Sequence, residues 1–270
     1  MKSLLLSIII CCCLFPYCNN NDTTAGNQEK DTLPYQLSKK QIDALKKRSE
    51  QPPLCIVYCD FTNSVDSTSA SLIIKNAEEI FNRLYDSYKL TFYIISKNDW
   101  SIPFFETDLL LIKNPRPSER IQLNQLLKIE KPASLDSFQK VLNRVVSQKR
   151  IKPSCIVNAV ENSIRVFDNY DKTGQLKLRL ILLSDMIEYC KSSIGLIDLE
   201  NKHYKEANKL VDDFKDTTYS FSKFKNLQID IIVSSQKDNA ASDQNKLWKK
   251  IFQKYGYVNL PNLSSTSPRY

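Results

Sequence analysis

The order of apolar and polar positions divides the chain into strand-like and helix-like stretches. Leu54-Cys55-Ile56-Val57-Tyr58-Cys59 is a continuous apolar run of strand length, as expected for a central strand covered on both faces. Over residues 67–88 the apolar positions Ile73, Ala77, Ile80, Leu84 and Tyr88 form one helical stripe. Residues 90–95 predict a second strand and residues 108–112 a third, short one. Helical character follows over 118–128 and 135–147, with a break expected around Pro132. After Pro153, the residues Ile156, Val160, Ile164 and Phe167 share a helix face. Residues 176–183 predict a strand that is mixed at its start (Lys177, Arg179) and wholly apolar at its end. A helix is expected over 202–218. Leu227, Ile229, Ile231 and Val233 alternate as a strand, with Asp230 on the opposite face. A last helix covers 245–255, and Gly256 stands where a C-terminal cap falls. Repeated strand–helix order with helix-length crossovers predicts an α/β fold with a mostly parallel central sheet and helices on both faces. Such sheets bind ligands beyond the C-terminal ends of their strands, at the point where strand order reverses. The segments after Cys59, before Ile156 and after Leu183 are therefore the ones to read for chemistry.

Composition narrows the chemistry. A single histidine, His203, excludes a histidine-cluster metal site, and four glycines leave neither GxGxxG nor a P-loop, so no nucleotide is expected. The net charge of +8 comes from Lys and Arg spread along the chain and mixed with acids, which reads as a solvated basic surface with no nucleic-acid partner. The N-terminus is different. Lys2 precedes an apolar run of about a dozen residues ending at Phe15, too short to span a bilayer at roughly 20 residues. With cysteines at 11, 12, 13 and 18, residues 1–18 resemble a bacterial lipoprotein leader. Cys13, with Ile10 three positions before it and Cys12 just before it, and Cys18, preceded by Tyr17, are the candidate lipidation sites. Residues 19–51 read as a polar tether with weak helical character from Ser38 to Ser49, residues 52–258 as the folded domain and 259–270 as a tail. This layout implies a membrane partner through an N-terminal lipid, and the bacterial cell envelope as location.

Three segments carry an oxygen-rich set of side chains. The first strand runs into Asp60-Phe61-Thr62-Asn63-Ser64, a carboxylate and two hydroxyls at alternate positions. The strand ending at Leu183 runs into Ser184-Asp185, and Ser154 precedes the helix that begins near Ile156. Two carboxylates with several hydroxyls form a hard-oxygen donor set, suited to Mg²⁺, Mn²⁺ or Ca²⁺ rather than zinc. The plain alternative is helix capping, a role that Asp, Ser and Thr favour. Asp66 and Glu188 are expected to be solvated, and Trp248, Ile251 and Phe252 to be helix-packing residues. Cys55 and Cys59, four apart on a strand, lie too far apart to bridge each other. For Cys155 and Cys190 an oxidising compartment permits a bridge, with buried free thiols the expected state.

On these residues the chain resembles a von Willebrand factor type A (vWA) domain, with a Rossmann-like three-layer sandwich. That family carries a metal-ion-dependent adhesion site of pattern Asp-x-Ser-x-Ser, a Thr in a second segment and an Asp in a third. Asp60, Thr62 and Ser64 match the first element, Ser154 stands in for the Thr, and Asp185 matches the Asp. The run 247–256, Leu-Trp-Lys-Lys-Ile-Phe-Gln-Lys-Tyr-Gly, resembles the closing helix of bacterial members. The resemblance implies a binding module rather than an enzyme, whose divalent cation is completed by an acidic residue of a protein partner. A metal-independent assembly scaffold is the second reading, and a metal-dependent hydrolase the third.

Overall fold

Strand β1 (Leu54–Asp60) is buried along its whole length, and every other element is arranged around it. The computed structural model describes residues 37–62, 65–95, 101–148, 153–215, 218–233 and 241–259. The leader with Cys13 and Cys18, the first part of the tether, Ser64, Trp100 and most of the tail lie outside the described residues. Strand β1 pairs in parallel with β2 (Lys89–Ile95) on one side and with β4 (Lys177–Ser184) on the other. Strand β7 (Asn226–Val233) adds in parallel to β4, and β3 (Pro103–Glu106) adds antiparallel to β2, giving the order β3-β2-β1-β4-β7. The direction of winding reverses between β1 and β4, so the crevice at their C-terminal ends is the topological switch point.

Side-chain alternation along these strands divides the core into two layers. Cys55, Val57, Cys59, Phe92, Ile181 and Leu183 pack against α2 (Ser67–Leu84) and α3 (Pro117–Ser147). Leu54, Ile56, Tyr58, Leu180, Leu182 and Ile231 face α4 (Ile156–Tyr170), α5 (Tyr204–Asp213) and α6 (Ala241–Lys254). The expected three-layer α/β sandwich with a mostly parallel sheet is present. Cys55 and Cys59 are free and fully buried, and burial pushes both thiols far above the usual range. The second half of the tether folds as α1 (Lys39–Arg48), opened by a capping box between Ser38 and Gln41. Leu45 of α1 is buried, Arg48 pairs with Glu119, and the Glu50 N–H bonds the Leu111 carbonyl at 2.7 Å.

Three expectations are corrected. Helix α3 runs unbroken through Pro132, whose exposed position lets water satisfy the carbonyl its missing N–H leaves open. The edge strand is 103–106 rather than 108–112. Leu109 and Ile112 are buried, yet in this stretch only Leu111 makes a bridge, to Glu50. A hairpin of β5 (Tyr189–Ser192) and β6 (Gly195–Asp198) follows β4 where no element was expected, with Cys190 and Ile197 facing inward.

Phe138 of α3 is fully buried, with ring centroids 4.5 Å from Phe92 and 5.0 Å from Phe81, and so joins two helices to the sheet. Phe138→Ala should destabilise the domain by about 3–5 kcal/mol, the range for truncating a core aromatic. A lowered urea midpoint at unchanged slope is the expected readout.

Candidate metal centre

The carboxylate of Asp60 closes β1 and is fully buried. Its Oδ1 accepts the Thr62 N–H at 3.0 Å and the Thr62 hydroxyl at 2.6 Å. Its Oδ2 accepts the Ser184 hydroxyl at 2.7 Å and the Ser154 hydroxyl at 3.1 Å. Three segments of the chain thus meet on one carboxylate, as the switch-point geometry requires. The Val65 N–H bonds the Thr62 carbonyl at 3.1 Å, turning the chain toward α2. Asp66 provides the N-cap of α2 by accepting the Ser69 N–H at 2.7 Å, so capping does not occupy Asp60 or Thr62. Asp66 is exposed, as expected, and also caps the helix.

Asp185 is buried directly after β4, and its Oδ1 accepts the Ile187 N–H at 2.9 Å. No helix starts there, so it is not a helix cap. The next residue, Met186, is fully buried with φ 59, a left-handed conformation that costs a non-glycine residue roughly 1–2 kcal/mol. Helix α6 holds this turn. Gln244 Nε2 donates to the Asp185 and Met186 carbonyls at 2.8 and 2.9 Å, and Trp248 Nε1 donates to the Met186 carbonyl at 2.9 Å. Trp248 is fully buried, as the packing reading expected, and its indole N–H also fixes the loop carrying Asp185.

Two features of this rim were not read from the sequence. Ser184 was seen only as the neighbour of Asp185, yet its hydroxyl makes the shorter of the two serine bonds to Asp60 and also accepts the Met186 N–H at 2.8 Å. Glu188 was expected in solvent and is fully buried, with Oε2 accepting the Ile156 N–H at 2.5 Å at the start of α4. A carboxylate at a helix N-terminus meets unpaired N–H groups and the positive end of the dipole, which explains the placement. Burial pushes the Glu188 carboxyl well above its ordinary range, and the nearby Asp60 and Glu161 add to that. The Cys155–Cys190 disulfide ties the same two segments covalently, correcting the free-thiol expectation for this pair. The Tyr189 N–H completes the tie by bonding the Ser154 carbonyl at 3.2 Å.

Burial raises the Asp60 carboxyl, opposed by the bonds from Thr62, Ser184 and Ser154. Among the described residues, the hydrogen bonds given to this carboxylate come from hydroxyl and amide groups. A donor set made only of oxygens fits a hard divalent cation. Among the described residues no three His, Cys, Asp or Glu side chains gather to hold a metal ion; this rim has two carboxylates and hydroxyls instead. His203 precedes α5 and is exposed, away from the rim.

The fold and rim define a doubly wound α/β domain with a buried, oxygen-rich cluster at its switch point. Among solved structures, the chain is similar to the ArnB paralog VWA2 of Sulfolobus acidocaldarius, at 11% identity over 80% of this chain and 42% of that one, with a TM-score of 0.39. It is also similar to the human COPII-coat protein Sec24c, at 8% identity over 82% of this chain and 31% of that one, TM-score 0.45. Manganese-loaded TRAP protein of Plasmodium vivax is similar at 12% identity over 74% of each chain, TM-score 0.23. The chain spans less than half the length of the first two. No protein-family profile and no curated protein matches it.

The disulfide closes a loop with a sequence separation of 35 residues. By loop-closure entropy this corresponds to about 3–4 kcal/mol of stability. Reducing the protein with dithiothreitol should lower its urea midpoint accordingly, while Cys155→Ser should start from the lower value and show no response to reductant.

Proposed function

We propose that the domain is a binding module of the bacterial cell envelope that docks a protein partner through a divalent cation. The observation that carries this reading is the convergence of Thr62, Ser154 and Ser184 on the buried Asp60 carboxylate, Ser184 being the residue directly before Asp185. Thr62 and Ser154 would contact the ion directly, together with Ser64 of the Asp-x-Thr-x-Ser run, while Asp60 and Asp185 would balance its charge. Mg²⁺ is the first candidate, with Mn²⁺ or Ca²⁺ as alternatives. A cation held by so few protein ligands keeps water in its remaining positions and offers one to an incoming carboxylate. An exposed Asp or Glu of the partner is that carboxylate.

Binding fits the rim better than turnover. The buried Glu188 carboxyl accepts the Ile156 N–H at the N-terminus of α4. Asp60 already accepts on both oxygens and Asp185 Oδ1 holds the Ile187 N–H, an arrangement suited to holding a ligand more than to moving a proton. The envelope assignment rests on the leader-like residues 1–18, with lipid on Cys13 or Cys18, and is supported by the Cys155–Cys190 disulfide, a bond that persists in oxidising compartments.

A cation at ten times its dissociation constant adds about 1.4 kcal/mol to the folded state, or a Tm rise of about 3–6 °C for a domain of this size. The wild type should show that rise with Mg²⁺ or Mn²⁺. Asp60→Asn, which keeps the side chain's shape, and Asp185→Asn should fold and lose it. Capture of an acidic-segment partner should be lost in EDTA. Equal Tm shifts in wild type and both variants would overturn the assignment, and EDTA-resistant capture would favour a metal-independent scaffold.

A further inference from the structure

The opposite end of the sheet, at the start of β4, holds a second polar cavity, remote from the rim at the strand tips. It has a volume of about 630 Å³ and is lined by Arg83, Ser87, Tyr88, Lys177, Arg179 and Gln228, with Leu84 as its apolar floor. Lys177 opens β4 and Ser184 closes it, so at roughly 3.3 Å per residue the two ends lie about 23 Å apart. The cavity wall carries three permanent cations and no carboxylate.

Each cation has a different setting. Arg179 is only 5% exposed, and its Nε donates to Asp230 Oδ2 at 2.7 Å across β4 and β7. Asp230 stands behind the wall and also receives Gln228 Nε2 at 3.1 Å on both oxygens, which fixes the guanidinium in place. Arg83, in the last turn of α2, pairs with Glu79 at 2.7 Å. Lys177 lies 5.4 Å from the Tyr88 ring centroid and forms no ion pair among the described residues.

A structural role accounts for only part of this. The Arg179–Asp230 pair alone would satisfy the polar positions of two neighbouring strands, and a buried pair of this kind is often replaceable by apolar residues at no loss of stability. It gives no reason for two further cations on the same wall, where Glu79 offsets Arg83 and Lys177 has no ion pair among the described residues. The last turn of α2 adds partly negative carbonyls, but the N–H groups of Ser87 and Tyr88 both bond the Leu84 carbonyl at 3.0 Å. The remaining lining groups, two hydroxyls and an amide, can all donate. A rigid, buried guanidinium with a second guanidinium and an ammonium at the rim is the donor arrangement that oxyanions select.

We propose that this cavity binds the phosphate group of a phosphomonoester, with Arg179 as the fixed donor and Arg83 and Lys177 closing over the anion from the rim. The volume exceeds that of a bare phosphate and leaves room for a small organic substituent or for the glycerol end of a lipid headgroup. Titration calorimetry at constant ionic strength, with inorganic phosphate and glycerol 3-phosphate, tests the soluble form. Co-sedimentation with phosphatidylcholine vesicles, with and without phosphatidic acid, tests the lipid form. The variant is Arg83→Gln with Lys177→Gln, both exposed positions, and the charge-matched control is Lys75→Gln with Lys209→Gln. Saturable binding by wild type and control, weakened at least tenfold in the Arg83/Lys177 variant, is the expected result, with the Mg²⁺ response and urea midpoint of that variant unchanged. Saturation with the soluble ligands assigns a small phosphomonoester, and capture only by phosphatidic acid vesicles assigns a lipid headgroup. Absence of both, or equal affinity in variant and control, overturns the proposal.

Discussion

A carboxylate at the tip of the most buried strand, held by hydroxyl and amide donors, is the constraint on which this domain depends. Leaving Asp60 unpaired in the interior would cost several kcal/mol, so its four acceptor contacts have to be made. Making them draws the chain inward from three directions: the turn after β1, the residues before α4 and the end of β4. The same constraint explains why the hydroxyls are on Thr62, Ser154 and Ser184, positions that an apolar core would otherwise fill.

The loops so gathered are held from outside as well. Helix α4 is anchored by Glu188 and the Cys155–Cys190 bridge, both supplied by the segment after β4. That segment is in turn gripped by Gln244 and Trp248 of α6. The left-handed Met186 fits this picture, because local strain of this size persists only where surrounding bonds determine the backbone. The second and third segments of the rim are therefore bonded to each other, and α6 holds the turn that joins them to β4.

Much of this was legible in the sequence where one physical signal dominated. The buried run at 54–59 and the helical stripe from Ile73 to Tyr88 each had a single period, and the matching elements appear close to the expected bounds, with α2 ending at Leu84, four residues before Tyr88. Asp60, Thr62 and Ser154 meet as expected, because fold topology carries the ends of β1 and the start of α4 to one edge. The misreadings share a cause: local pattern lost to long-range contact. The apolar stretch 108–112 looked more strand-like than 103–106, but its burial comes from irregular chain, with Leu111 bridged to Glu50. Pro132 looked like a break, but an exposed helix surface tolerates it. Glu188 looked solvated because nothing near it in sequence announces the helix terminus it serves, and the hairpin after it has too few inward-facing residues to show a period.

One consequence follows from the two unbridged cysteines of β1. Cys55 and Cys59 lie in the central strand, and burial keeps both sulfurs protonated and shielded from solvent. A soluble alkylating reagent has no thiolate to attack while the sheet is closed. Modification of these two sites therefore counts excursions in which the middle of the sheet opens, and its rate is a chemical clock for the innermost layer of the molecule.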